Sequence, residues 1–94
     1  MATIAVQHRI NNAEKFFGLT PEVVENAPAG IQPRQFCPST DKTQAMCLWE
    51  ADSVDAVRGY LDSIAGTDVT ENSYFVIDEE QAFGLPQQTA ATSG

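Results

Sequence analysis

The sequence predicts an α+β domain with elements in the order β-α-β-β-α-β. Three observations lead there. Four segments are rich in β-branched and aromatic residues, and they alternate with stretches carrying helix caps and helical spacing. The second strand segment contains two prolines, which suits a sheet edge. The third is apolar on both faces, which suits the interior of a sheet.

The first strand is "TIAVQHRI", Thr3 to Ile10. Ile4, Val6, His8 and Ile10 share one face, and Ala5, Gln7 and Arg9 share the other. In "NNAEKFFGLTPEVVENAPAG", Asn11 or Asn12 caps a short helix through Phe17, and Gly18 ends it. Thr20 then caps a second short helix with Pro21 at its first position. Pro28 and Gly30 stop it, so this region reads as a broken helix or two short ones.

"IQPRQFCPS", Ile31 to Ser39, is the second strand. Pro33 and Pro38 cannot donate ladder hydrogen bonds. They stand an odd number of residues apart, so their missing N–H groups would point to opposite sides. A regular edge strand tolerates one of them, and the other demands a bulge or a strand end. "STDKT" is a polar hairpin connection. "QAMCLWEA", Gln44 to Ala51, is the third strand, with Ala45, Cys47, Trp49 and Ala51 on one face and Met46 and Leu48 on the other.

Asp52 or Ser53 caps the next helix, with Asp55 as a partner in a capping arrangement. Val54, Val57, Leu61 and Ile64 form one helical stripe. Gly66 closes the helix, and "NSYFVIDE" is the fourth strand. "EEQAFGLP" adds a short strand or an arm. The polar tail, 87–94, is expected to be disordered, leaving a single domain over 1–86. With these elements the topology is ferredoxin-like, a four-stranded antiparallel sheet with helices on one face. In that arrangement the second strand lies at an edge and the third is interior, as the prolines and the two-sided burial require.

Ninety-four residues make one domain, near the lower end of what buries a self-sufficient core. Strands apolar on both faces, with only two helices to cover one of them, call for a partner subunit. A homodimer is therefore expected. The net charge is −8 with five Lys and Arg, which argues against nucleic acid and against an anionic membrane surface. The apolar runs are too short to span a bilayer. No signal peptide is legible at the N-terminus, so the expected compartment is the cytoplasm, with both cysteines free.

The order of elements, "VQHRI" near the start, and "CLWEADSVDAVRGYL" followed by "SYFVIDEEQAFGLP" resemble the dimeric α/β-barrel superfamily. Within it the chain is most similar to a group of small, mostly uncharacterised bacterial proteins that includes a nickel-binding member. The resemblance covers Thr3 to about Pro86. It implies a barrel built from two four-stranded sheets, and a pocket between the sheet and helices of each subunit. The superfamily spans isomerases, cofactor-free monooxygenases, haem-degrading enzymes and cyclases, so it implies no single reaction. The related proteins tend to carry a histidine on the second helix, after the "VR". Here Gly59-Tyr60 follow, and a phenol is a poorer ligand for nickel than imidazole. Weak or no specific nickel binding is therefore expected; no metal ligand is assigned, and no cofactor.

His8, the sole histidine, is a candidate general base if it faces inward. Otherwise it is a core histidine satisfied by a carbonyl. The relation of Cys37 to Cys47 depends on the hairpin. A three-residue loop sets them opposite each other, where with His8 they would make a soft-metal site; a four-residue loop sets Cys37 opposite Met46. Trp49, Cys47 and Tyr74 are candidates to line a pocket for a small apolar or planar ligand. Tyr60 brings a hydroxyl to an apolar helix face and is the second catalytic candidate. Glu79-Glu80 and Asp52-Asp55 suit solvated loops and a cap. The leading expectation is a cytosolic homodimer that binds a small organic molecule or metal in a sheet–helix pocket. One alternative is a cofactor-independent isomerase, cyclase or monooxygenase using His8 and Tyr60. Another is a regulatory or assembly protein that acts through its dimer surface.

Overall fold

A computed structural model describes residues 1–86; the tail expected to be disordered, 87–94, lies outside them. The elements are β1 (Ala2–Ile10), α1 (Ala13–Glu25), β2 (Ile31–Pro38), β3 (Gln44–Ala51), α2 (Val54–Asp62) and β4 (Thr70–Val76). The strands form one sheet in the order β2-β3-β1-β4, and every neighbouring pair is antiparallel. The chain is thus α+β, with the connectivity and strand order of a small ferredoxin-like fold.

The edge position of β2 follows from its prolines. Pairing with β3 is regular from Ile31 to Pro33, slips at Arg34, and resumes at Gln35. The extra residue lets β2 keep Ile31, Pro33 and Phe36 opposite Ala51, Trp49 and Cys47. The hairpin that follows closes with Ser39 N donating to Gln44 O. Asp41 Oδ1 organises it, accepting from the hydroxyls of Ser39 and Thr43 and from Thr43 N. Four residues lie between Ser39 and Gln44, and Lys42 takes a left-handed φ of 63°.

The α1 region differs from the expected broken helix. One helix runs from Ala13 to Glu25 through Gly18 and Pro21. Asn12 caps it, its side chain accepting from Lys15 N. Proline inside a helix removes one donor and crowds the preceding turn. Here the Thr20 hydroxyl donates to Phe16 O at 2.9 Å and adds a bond in the disturbed turn. Tertiary packing then holds the helix together. Phe16 is buried, and Phe17 and Val23 pack against the core from the same element. Gly18 faces open space, so its helical cost is not compounded by a clash.

Ser53 is the cap of α2, its hydroxyl accepting from Ala56 N. Asp55 does not complete a capping box and pairs with Arg58 at 3.0 Å instead. From the α2 stripe, Val57 and Leu61 are buried against Ile4, Val6, Cys47 and Trp49. The segment after β4 forms a turn at Asp78–Ala82 rather than a fifth strand.

Both helices cover the sheet face that carries Ile4, Val6, His8, Cys47 and Trp49. The opposite face carries Ala5, Leu48, Met46 and Phe75. Met46 and Phe75 remain 41% and 50% exposed there, on a face that neither helix covers. On the same face Glu50 is buried beside Arg34, whose Nε lies 3.5 Å from its carboxylate.

Candidate functional site

The strand register brings three polar side chains together on the helix-covered face. In the β1–β4 ladder His8 stands directly opposite Asn72. In the β1–β3 ladder Cys47 stands opposite Val6, which places it diagonally from His8 on the same face. His8 Nδ1 is 2.6 Å from Asn72 Oδ1, and His8 Nε2 is 2.9 Å from Cys47 Sγ. Asn72 Oδ1 also accepts the Thr70 hydroxyl at 2.9 Å. The amide's other end, Nδ2, donates to the Tyr74 oxygen, and the Tyr74 hydroxyl donates to Asp62 Oδ1.

This network assigns the histidine tautomer. An amide oxygen can only accept, so Nδ1 carries the proton and donates to Asn72. Nε2 then carries a lone pair and accepts the Cys47 S–H. Burial depresses the His8 pKa below its ordinary value, and the bond to Asn72 offsets this only in part. Burial pushes the Cys47 thiol up to about 12, against the opposing pull of the Trp49 indole N–H. Both shifts favour uncharged partners, because an apolar surround penalises the thiolate and the imidazolium alike. The resting pair is thiol and neutral imidazole. Trp49 Nε1 is itself buried without a hydrogen bond of good geometry.

The pair sits in the wall of a cavity of about 270 Å³ between the sheet and the helices. Its apolar lining includes Phe16, Leu19, Val23, Phe36, Trp49 and Leu61, and its polar end is His8, Cys47, Thr70 and Asn72. Phe16 stands edge-on to His8 at 5.2 Å between ring centres. Arg34, at the β2 bulge, borders the cavity, while its guanidinium lies beside Glu50 on the other sheet face.

Of the residues singled out by sequence, His8, Cys47 and Trp49 therefore converge. Tyr60 does not line the cavity. Its hydroxyl donates to Val23 O at 2.7 Å and its ring packs edge-on to Trp49. Val23 lies in the last turn of α1, where carbonyls lack helical partners. The hydroxyl thus ties α2 to the end of α1, a packing role that the helical stripe did not disclose. Tyr74 lies behind Asn72, outside the cavity, with Arg58 stacked 5.1 Å from its ring centre.

The four-residue hairpin sets Cys37 opposite Met46. Cys37 is exposed on the open sheet face while Cys47 is buried on the other, so the three-residue alternative and its soft-metal site fall together. Among the described residues no three His, Cys, Asp or Glu side chains gather where they could hold a metal ion. No helix among them is long and apolar enough to cross a membrane.

Asn72 was missed by sequence reasoning. It opens "NSYFVIDE" and reads as a strand start. The available signal was its place in a strand adjacent to β1, but the rung it shares with His8 is settled only by the register.

Fold and site together define an α+β protein with a thiol–imidazole pair in the wall of a partly open, mainly apolar cavity. Compared with known proteins, the chain matches no family model and no curated protein.

Proposed function

We propose that this chain is one half of a homodimeric α/β barrel that binds a small, mainly apolar organic molecule in the cavity between its sheet and helices. The observation that carries this reading is the cavity itself. It is walled by aromatic and aliphatic side chains and has one polar end at His8, Cys47 and Asn72. That combination of an apolar body and a few convergent polar groups is what small-molecule sites share. At about 270 Å³ it lies near the small end of such sites and suits a molecule of roughly one substituted ring.

The dimer rests on the other face of the sheet. Met46 and Phe75 are exposed beside Ala5 and Leu48, and neither helix reaches them. A second copy packed there, sheet against sheet, would bury this face and supply the area that a short chain lacks.

Native mass spectrometry of protein purified from its host tests both parts together. The expected result is a dimer carrying a small organic molecule. Titration with single-ring ketones provides a second readout, because Trp49 is the only tryptophan and forms part of the cavity wall. A bare monomer at micromolar concentration, with tryptophan emission indifferent to every probe, would refute the reading.

A further inference from the structure

We propose that Cys47 is a covalent nucleophile, with His8 as its base and Asn72 as the positioning residue, and that it adds reversibly to an α,β-unsaturated carbonyl compound held in the cavity. This deepens the ligand-binding reading and rests on it.

The geometry supplies each part. His8 Nε2 lies 2.9 Å from Cys47 Sγ and can take its proton. Asn72 Oδ1, at 2.6 Å from Nδ1, holds the ring in the one tautomer that leaves Nε2 free to do so. Thr70 and Tyr74 in turn fix the two ends of the Asn72 amide. A cysteine, histidine and asparagine so arranged follow the logic of nucleophile, base and orienter, which recurs on unrelated folds. Trp49 adds an indole N–H that favours the sulfur anion and lacks another good acceptor. As charge builds on sulfur, both it and the newly protonated Nε2 donate to it.

The same geometry selects the substrate class. Acyl transfer would place a negative oxygen beside the sulfur and needs donors there. Cys47 lies in a central strand, paired with Val6 on one side and Phe36 on the other, so its own N–H belongs to the sheet ladder. Hydrolysis would also need water in a cavity with apolar walls. Conjugate addition needs neither a leaving group nor water. Nε2 removes the thiol proton as sulfur bonds to the β-carbon. The C=C π pair moves toward the carbonyl, and Nε2–H then returns the proton to the α-carbon. One S–C and one C–H bond form, while the S–H bond and the π bond break. The reverse elimination restores the thiol and the alkene.

The probe is 4-phenyl-3-buten-2-one, a single-ring enone, applied to the full chain carrying Cys37→Ser. That substitution removes the exposed thiol, which lies on the opposite sheet face. Intact-mass measurement is expected to show one adduct that reverses on dialysis and is absent in Cys47→Ala. His8→Gln is expected to slow addition at least tenfold. Phenyl acetate, the acyl-donor control, is expected to leave no acyl adduct. Should His8→Gln fail to fold, the pH profile of the Cys37→Ser protein decides. General-base addition levels off above the His8 titration, whereas a free thiolate reaction keeps rising about tenfold per pH unit toward the thiol pKa. Asn72→Ala, as a positioning change, is expected to shift that profile as well as lower its plateau. The ionisable groups that reach the pair are Tyr74 and Asp62, through Asn72, while the Arg34 guanidinium lies beside Glu50 on the other sheet face.

Addition as fast in His8→Gln as in the parent, a rate that tracks free thiolate, or acylation by phenyl acetate would each overturn the proposal. The saturated ketone 4-phenyl-2-butanone separates the two readings. If it shifts Trp49 emission while the enone forms no adduct, the cavity binds ligands and the covalent step is wrong. If neither molecule binds, both readings fail.

Discussion

Replacing Tyr60 by phenylalanine isolates one oxygen atom whose role the structure makes specific. The phenol donates to Val23 O at 2.7 Å, and its ring stays edge-on to Trp49 with or without the hydroxyl. A net intramolecular hydrogen bond contributes about 1 kcal/mol, with a spread of roughly half that either way. The bond is partly buried and its acceptor is a carbonyl in the last turn of α1, so neither partner recovers full hydration when the other is lost. In a domain of this size about 1 kcal/mol moves the melting temperature by roughly 4–8 °C. Tyr60→Phe should therefore melt a few degrees below wild type and bind single-ring ketones unchanged, because Tyr60 is not part of the cavity wall. The assay is thermal unfolding by circular dichroism at matched protein concentration, since a dimer's midpoint depends on concentration. Leu61→Ala provides the scale. Leu61 is buried, and its loss should cost about 2–5 kcal/mol, near the lower end because it already borders a cavity. If Tyr60→Phe melts with wild type yet loses ketone binding, the hydroxyl serves the ligand and the packing argument is wrong.

The neutral thiol–imidazole pair predicts two pH limits. The Cys47 thiol is raised from 9.0 to about 12 in the folded chain, so the unfolded chain loses its proton first. Stability should fall between those values as pH rises, by at most about 1.4 kcal/mol per pH unit. Urea midpoints measured in a Cys37→Ser background should show this slope, and Cys47→Ala should reduce it to the part that Tyr60 and Tyr74, both raised by burial, contribute in the same direction. The His8 pKa is lowered from 6.5, so its contribution is present above that value and is lost as pH falls from there toward the folded pKa. An acid limb unchanged by His8→Gln would contradict its burial as a neutral group. Phe75→Glu on the open sheet face should shift sedimentation from dimer toward monomer; a dimer that survives it uses another surface. Titration calorimetry with Ni²⁺ should give no submicromolar site, because the Tyr60 hydroxyl is committed to Val23 and, among the described residues, no three His, Cys, Asp or Glu side chains gather where they could hold a metal ion. A submicromolar site lost in His8→Ala would reverse this conclusion.

Proline parity made the β2 edge and its bulge legible, because a missing N–H has a direction in a ladder. The two-sided apolar pattern of Gln44 to Ala51 made the centre of the sheet legible for the same local reason. The α1 region was not legible, since Gly18 and Pro21 are local stop signals overridden by the burial of Phe16 and its neighbours. The partner of Tyr60 was not legible, because a helical stripe shows which residues face the sheet, while the acceptor of its hydroxyl belongs to another helix. Local patterns were reliable where the deciding partner was also local.

The site is an instance of the same division. His8 and Cys47 could be assigned to inward faces from alternation alone, but their meeting depends on which residues share a rung. Cys47 pairs with Val6, and His8 pairs with Asn72. A slip of one residue in the β1–β3 ladder would carry Cys47 to the face that Met46 and Leu48 occupy and leave His8 with a different neighbour. That slip is opposed by the core itself. Trp49 and Ala51 would leave the buried cluster with Cys47, exposing the largest apolar side chain of β3. The hydrophobic pattern that stabilises the central strand is therefore also what holds the thiol against the imidazole. The fourth member of the network, Thr70, and the orienting Asn72 arrive with β4, on the other side of β1. Three adjacent strands thus deliver nucleophile, base and orienter in sheet order, and the precision of the set is that of the sheet rather than of any loop.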